Sequence, residues 1–231
     1  MYQENKPQYR ILLLIALAHG LNDLIQGVIP SIYPALQSKY AFTMTQVGVI
    51  TLCYQLSASI LQPLVGNYTD KHPKPYSQVL GMTFTTMGIV SLSLSSNYTA
   101  ILCSVVFIGV GSSVFHPESS RVAFLASGGR RSFAQAIFQL GGNFGTALAP
   151  LLVILLLFSK KIIDGRVVEE SHQGNLIWFA GFSIFAMLIL LLIGKWRSIL
   201  LKLLKKKAKK PVVLPNLTRA QIRNSMIILM L

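Results

Sequence analysis

Acidic residues are nearly missing from this 231-residue chain, which has seven Asp and Glu against 21 Lys and Arg, and only 12% of it is charged. Soluble globular domains carry about twice that charged fraction, so an ordinary water-exposed surface is excluded. Charge is also missing in blocks. No Asp, Glu, Lys or Arg occurs in the 41 residues from Pro75 to Phe115, or in the 28 from Ser132 to Ser159. Cysteine is scarce, and Cys53 and Cys103 each lie inside an apolar run, where a thiol packs as a small hydrophobe. Neither a disulfide framework nor a zinc site is indicated. No HExxH, nucleotide-binding glycine loop or catalytic-triad spacing is present, so no cofactor is expected. What remains is 52% hydrophobic residues with a net charge of +14, the composition of a polytopic membrane protein. Such a charge would ordinarily suggest a nucleic-acid partner. Here ten of the 21 basic residues fall between Lys195 and Arg223, beside an apolar run, and read as a cytoplasmic loop against anionic lipid.

A spanning helix needs about 20 largely apolar residues, because each residue rises about 1.5 Å across a hydrocarbon core about 30 Å thick. Six segments qualify, near residues 11–36, 44–66, 76–96, 99–125, 133–158 and 175–195. The long uncharged stretch divides at Ser95-Ser96-Asn97-Tyr98, a polar cluster able to turn a hairpin. Lys6 and Arg10 ahead of Ile11–Ala18 imitate a signal peptide, yet the apolar stretch resumes after Asp23 and reaches Leu36 without a cleavage site. It is therefore a retained first span. With residues 1–10 in the cytoplasm, 17 basic residues fall on the inner side and four, Lys39, Lys160, Lys161 and Arg166, on the outer, as the positive-inside rule requires. The expected organisation is an all-α six-span bundle over 11–195, a basic cytoplasmic loop over 196–224, and a seventh span that begins at 225 and is cut off at 231.

Polar residues inside these spans are the candidate functional groups. His19, Asn22, Asp23 and Gln26 recur at helical spacing in the first span. An Asp at bilayer depth costs at least about 2.5 kcal/mol, so it faces a bundle interior or wet cavity. Such a carboxyl can load and release a proton, or simply hydrogen-bond a neighbouring helix. Gln135, Gln139, Asn143 and Thr146 form a second stripe in the fifth span, beside the small residues Gly141, Gly145 and Ala149 that end at Pro150. That stripe suits close helix contact and substrate contact equally. Gln55 and Gln62 repeat the theme in the second span. Phe115-His-Pro-Glu-Ser-Ser-Arg sets Glu118 and Arg121 three residues apart, able to pair on one face next to a proline kink.

Gly66-Asn-Tyr-Thr-Asp70-Lys71, between spans two and three, resembles the signature cytoplasmic loop of the major facilitator superfamily, with Pro73, Lys74 and Pro75 replacing its later glycine and arginine. Gly145-Thr-Ala-Leu-Ala149-Pro150 is similar to that superfamily's antiporter motif. Ala18-His-Gly-Leu-Asn-Asp-Leu, the Phe115–Arg121 segment and Gly129-Arg-Arg-Ser-Phe-Ala-Gln-Ala-Ile-Phe-Gln-Leu-Gly-Gly-Asn narrow the resemblance to the fosmidomycin resistance group of efflux carriers. The resemblance covers roughly residues 10–200. It implies an inner-membrane drug exporter of about twelve spans in two halves, with substrate held between them, of which this chain is the N-terminal half.

On that footing Asp23, His19 and Glu118 are candidates for proton coupling. Asn22, Gln26, Gln55, Gln135, Gln139 and Asn143 are candidates for the substrate cavity. Gly66, Asp70, Lys71, Arg121, Gly145 and Pro150 are candidates for conformational gating, with Asp70 facing a helix of the other half. The expected partners are the bilayer, a small-molecule drug, protons, and either a missing C-terminal half or a second copy. The rivals are an intramembrane metal-dependent enzyme using His19, Asp23, His116 and Glu118, and a non-transporting assembly subunit. The charge asymmetry is directly testable. In a background lacking Cys53 and Cys103, Lys71→Cys should be shielded from an impermeant thiol reagent added to intact cells, and Lys160→Cys should react; labelling of Lys71→Cys from outside would reverse the assigned orientation.

Overall fold

The computed structural model describes residues 6–163 and 166–208. Its order is α1 (Tyr9–Ser31), α2 (Tyr33–Tyr40), α3 (Met44–Lys71), α4 (Ser77–Leu94), α5 (Tyr98–Ala126), α6 (Arg131–Leu157), a hairpin of β1 (Phe158–Ile163) and β2 (Arg166–Ser171), a 3-10 turn (Gln173–Leu176) and α7 (Ile177–Ala208). Six helical segments are long and apolar enough to cross a membrane, and each overlaps an expected span. α1 and α2 together make the first, broken at Ile32 just after Pro30, whose ring cannot donate to the helical ladder. Two helix starts are fixed by side chains. Thr43 and Gln46 form a capping box on α3, and Asn97 accepts from the Ala100 amide at 2.9 Å to open α5. The Ser95–Asn97 turn thus falls where the polar cluster predicts it.

Helices α1 and α6 touch backbone to backbone. A Cβ added at Gly141 or Gly145 would collide with the carbonyls of Ala16 and Gly20, and one at Gly27 would lie 2.7 Å from Ala149 Cβ. Where helices lack a hydrophobic drive to associate, such closeness supplies the van der Waals contact that holds them. The missing side chains also leave an apolar groove of about 430 Å³ along this seam, floored by Gly20, Gly141 and Gly145 and walled by Leu13, Leu140 and Phe144.

Two apolar clusters fill the bundle. One gathers Leu24, Ile29, Leu36, Ile89, Ile108 and Phe179; the other gathers Leu12, Ile15, Met82, Phe115, Phe138 and Leu190. Along α1 the first ends at Leu24 and the second at Ala18, so His19–Asp23 occupies the interval between them. α3 and α6 are the least buried of the spanning helices, and their outward faces are largely apolar. At one end Gln173 ties the bundle together, accepting from Lys39 at 2.9 Å and Tyr40 at 2.8 Å while donating to the Leu92 carbonyl at 2.8 Å.

Three expectations need correction. Gly66–Lys71 is the last two turns of α3 rather than a loop, because nothing breaks the helix before His72 and Pro73. The connection after α6 contains an antiparallel hairpin pairing Phe158 with Ser171 and Ile163 with Arg166; its β-branched residues flank an Asp-Gly dipeptide, a strong hairpin signal. The loop expected from residue 196 is helical through Ala208. The seventh span at 225–231 lies outside the described residues.

The α1–α6 seam yields a packing test. Gly145→Ala should lower the thermal midpoint in detergent micelles by an amount equivalent to about 1–3 kcal/mol, whereas Gly181→Ala, with nothing within 4 Å of the added Cβ, should leave it unchanged or slightly raised. Equal effects would mean that the seam is not tightly packed.

Candidate functional site

The stretch of α1 between the two apolar clusters carries an ion cluster. Asp23 faces two imidazoles: its Oδ2 lies 3.0 Å from His19 Nε2, one turn earlier, and its Oδ1 lies 3.2 Å from His116 Nε2 on α5. The same Oδ1 accepts from Asn22 Nδ2 at 3.0 Å and Gln26 Nε2 at 3.3 Å. His19 is 1% exposed, stacks on the Phe138 ring at 3.9 Å between centroids, and has Nδ1 2.8 Å from the Phe138 carbonyl oxygen. His116 Nδ1 lies 3.0 Å from the Ser112 carbonyl. α6 leaves room for this arrangement through Gly142, where a Cβ would come within 2.6 Å of Asp23 Oδ2. Three donor atoms within 4.8 Å of one another raise the question of a metal. Each carboxylate oxygen lies near a different ring, and His19 Nε2 makes no directed hydrogen bond.

Beside the cluster lies a polar cavity of about 250 Å³ lined by Asp23, Gln26, Pro30, Tyr33, Thr51, Tyr54, Gln55 and Thr146. Gln26 Oε1 accepts from the Tyr54 hydroxyl and from Ser112 Oγ at 3.1 Å, and Tyr33 and Thr51 hydroxyls lie 2.8 Å apart. Gln26 and Gln55 therefore both line this cavity. Other cavity candidates do not line this cavity. Asn22 is fully buried and supports Asp23. Gln135 donates to the Ser120 carbonyl on α5 at 3.0 Å and acts as a tie between helices. Gln139 and Asn143 are exposed and bond each other at 3.2 Å on the open face of α6. Tyr33, Thr51, Tyr54, Ser112 and His116 join the site without having been picked as cavity residues. Of these only His116 carried a signal, an imidazole beside a proline in an apolar span.

A second polar network lies at the α3–α4 end. Glu118, fully buried, pairs with both Arg121 and Arg197 and accepts from Ser77 Oγ. Arg121 also pairs with Asp70 and donates to the Thr69 carbonyl at 3.0 Å. Glu118 thus does not join His19, Asp23 and His116, so the four-residue metal site of the enzyme alternative is not assembled. Asp70 is bound within its own bundle. Arg197, expected in a cytoplasmic loop, is 0% exposed; its position among loop lysines hid it, and the cue is its place one helical turn past Ile193 on the buried side of α7. Lys71 is exposed in the last turn of α3, where a cation favours the helix terminus. A Cβ at Gly66 would lie 3.9 Å from Pro117, Gly145 of α6 packs against Gly20 of α1, and Pro150 sits exposed within α6.

Six apolar helices enclosing paired ions define a multi-pass membrane protein whose interior accommodates charge. The chain belongs to the Major Facilitator Superfamily, whose family model matches residues 15–230. It is 44% identical over 210 residues to the fosmidomycin resistance protein of Escherichia coli strain K12, covering 91% of this chain and 49% of that protein. It is 41% identical over 202 residues to an uncharacterised MFS-type transporter of Bacillus subtilis strain 168, covering 87% and 47%. The chain spans about half the length of these curated relatives. Its fold is similar to a solved bacterial homologue of the human lysosomal transporter Spinster, in an inward-facing, unoccupied conformation, with a TM-score of 0.63 and 16% identity over 84% of this chain and 43% of the other.

Breaking a buried ion pair by removing one partner costs about 3–5 kcal/mol, since the other charge is stranded. Glu118→Gln should therefore lower the thermal midpoint in micelles more than Asp70→Asn, whose side chain is 70% exposed. Adding Arg197→Met to Glu118→Gln should recover part of the loss; no recovery would mean that the arginine is not the stranded charge.

Proposed function

We propose that this chain forms one six-span body of a drug exporter that couples outward movement of a fosmidomycin-like small molecule to inward movement of protons, with its N-terminus in the cytoplasm of a bacterial inner membrane. The observation that carries the reading is Asp23, an acid within the apolar bundle that opens on a polar cavity and is flanked by imidazoles. The name of the Escherichia coli relative supplies the substrate class. The family and the MFS-type transporter of Bacillus subtilis support transport rather than catalysis.

Tyr33, Thr51, Tyr54, Gln26 and Gln55 offer the hydroxyl and amide groups that a polar solute needs. The exposed amides Gln139 and Asn143 of α6 are costly against lipid, which supports a second six-span body completing the cavity, as in carriers that bind substrate between two repeats. The Asp70–Arg121–Glu118–Arg197 chain links α3, α5 and α7 and is assigned to gating. Glu118 leaves the proton-coupling set, because a proton reaching it must displace two arginines.

The test uses a drug-sensitive strain lacking its own exporters, expressing the chain alone or fused to the second half of the Escherichia coli relative. Accumulation of labelled fosmidomycin should fall in at least one form, and the fall should vanish with Asp23→Asn and with a protonophore. Undiminished accumulation in both forms would overturn export; export that survives the protonophore would overturn proton coupling.

A further inference from the structure

We infer that His19, Asp23 and His116 form a binding site for one divalent transition-metal ion of the zinc class, held by the two imidazole Nε2 atoms and one carboxylate oxygen. The inference goes beyond the exporter reading and does not need it. It starts from an orphaned atom. His19 is 1% exposed and its Nε2 has no hydrogen-bond partner, although a buried polar nitrogen without one is costly. Asp23 Oδ2 stands only 3.0 Å away, yet the contact is not a hydrogen bond. A cation between the two atoms accepts a lone pair from each and removes the deficit.

The second nitrogen of each ring is already committed. His19 Nδ1 lies 2.8 Å from the Phe138 carbonyl oxygen, and His116 Nδ1 lies 3.0 Å from that of Ser112. A carbonyl only accepts, so each Nδ1 carries the ring hydrogen and each neutral ring presents a lone pair at Nε2. Ser112 Oγ, 3.1 Å from His116 Nδ1, leaves this in place, because its own hydrogen goes to Gln26 Oε1. Metal-bound histidines are supported in this manner, the other N–H resting on a carbonyl that fixes the tautomer and the ring plane. The carboxylate is supported likewise. Asn22 Nδ2 and Gln26 Nε2 both donate to Oδ1, and the Gln26 amide is oriented by the Tyr54 and Ser112 hydroxyls on its oxygen. Oδ2 accepts from neither amide and is left for the ion.

The dimensions suit an ion. One donor atom from each residue can be chosen so that all three lie within 4.8 Å of one another. Donors about 2.0–2.2 Å from a tetrahedral ion stand about 3.3–3.6 Å apart, so the site is completed by a small closure of His116, the most exposed of the three. α6 leaves the volume through Gly142, where a Cβ would lie 2.5 Å from His19 Cε1 and 2.6 Å from Asp23 Oδ2. Two nitrogens and one oxygen select zinc and its first-row neighbours over calcium and magnesium, which take oxygen donors. Three protein ligands leave one position open. Asp23 also lines the polar cavity of about 250 Å³, which gives the ion a way in and a water to complete its shell. Glu118 is engaged by Ser77, Arg121 and Arg197 and supplies no fourth ligand. An ion held here occupies the carboxylate on which the export reading depends.

The test is metal binding by the purified full chain in detergent micelles, carrying an affinity tag free of histidine. Zinc is the probe, with cobalt as its spectroscopic substitute. One equivalent of zinc should bind, and its X-ray absorption spectrum should show two imidazole nitrogens and a carboxylate-type oxygen. Cobalt should give the visible absorption of a four-coordinate ion, and zinc should abolish it. Loss of an outer partner costs about 10–100-fold in metal affinity, so Gln26→Leu should weaken binding by that factor, and His19→Gln, Asp23→Asn and His116→Gln should each weaken it by more. His116→Cys keeps a donor and should retain the site. The remaining histidines, His72 and His172, lie outside the cluster, and His72→Gln and His172→Gln should leave the affinity unchanged. Absence of a zinc equivalent on the folded wild-type chain, a spectrum with fewer than two imidazoles, or an affinity that follows His72 or His172 would overturn the site. The wild-type spectrum decides the matter even where a variant fails to fold. No readout requires transport, so a chain that binds zinc in this way yet fails to export counts against the exporter reading and not against this one.

Discussion

The structure depends on one constraint: a charge taken out of water inside an apolar bundle must meet its complement there. Glu118 shows its reach. Two arginines and a serine hydroxyl converge on one carboxylate, and through them α5 is fastened to α4 and α7, with Arg121 carrying the connection on to α3 at Asp70 and Thr69. Hydrophobic packing alone confers no register on lipid-solvated helices, because lipid tails are as apolar as leucine. The buried carboxylate does, since a shift of one helix by a turn strands at least one guanidinium. Asp23 obeys the same rule with weaker partners.

The two networks differ in kind. At the α3–α4 end the partners of Glu118 are arginines, which cannot be deprotonated under ordinary conditions. In the middle of α1 the neighbours of Asp23 are imidazoles set against backbone carbonyls.

Much of this was legible in the sequence because the bilayer restricts the options so strongly. Uncharged runs marked the spans, and the Ser95–Asn97 cluster marked the one concealed turn. The i, i+3 spacing of Glu118 and Arg121 foretold their pair, and Gly141 and Gly145 foretold a close helix contact. What stayed hidden came from partners distant in sequence. Arg197 looks like any member of its basic tract until α7 is packed against α5. Gln135, Gln139 and Asn143 share one stripe, yet Gln135 meets Ser120 whereas the other two face outward, because periodicity gives a face but not what covers it. His116 was noticed only as a possible metal ligand, since nothing in a one-dimensional spacing places it opposite Asp23. The hairpin after α6 is masked in the sequence for a simpler reason: its β-branched pairs and Asp-Gly dipeptide fall in the interval between two spans.

The glycine seam between α1 and α6 has a mechanical meaning. Two helices in contact through their main chains have no side-chain rotamers to repack when they slide, and any relative displacement drives carbonyl into carbonyl. The seam therefore resists relative displacement of the two helices. His19, Asp23, the Phe138 carbonyl and Gly142 all belong to this pair, whereas His116 belongs to α5. The His116–Asp23 contact is accordingly the part of the cluster that reaches outside the glycine-locked pair.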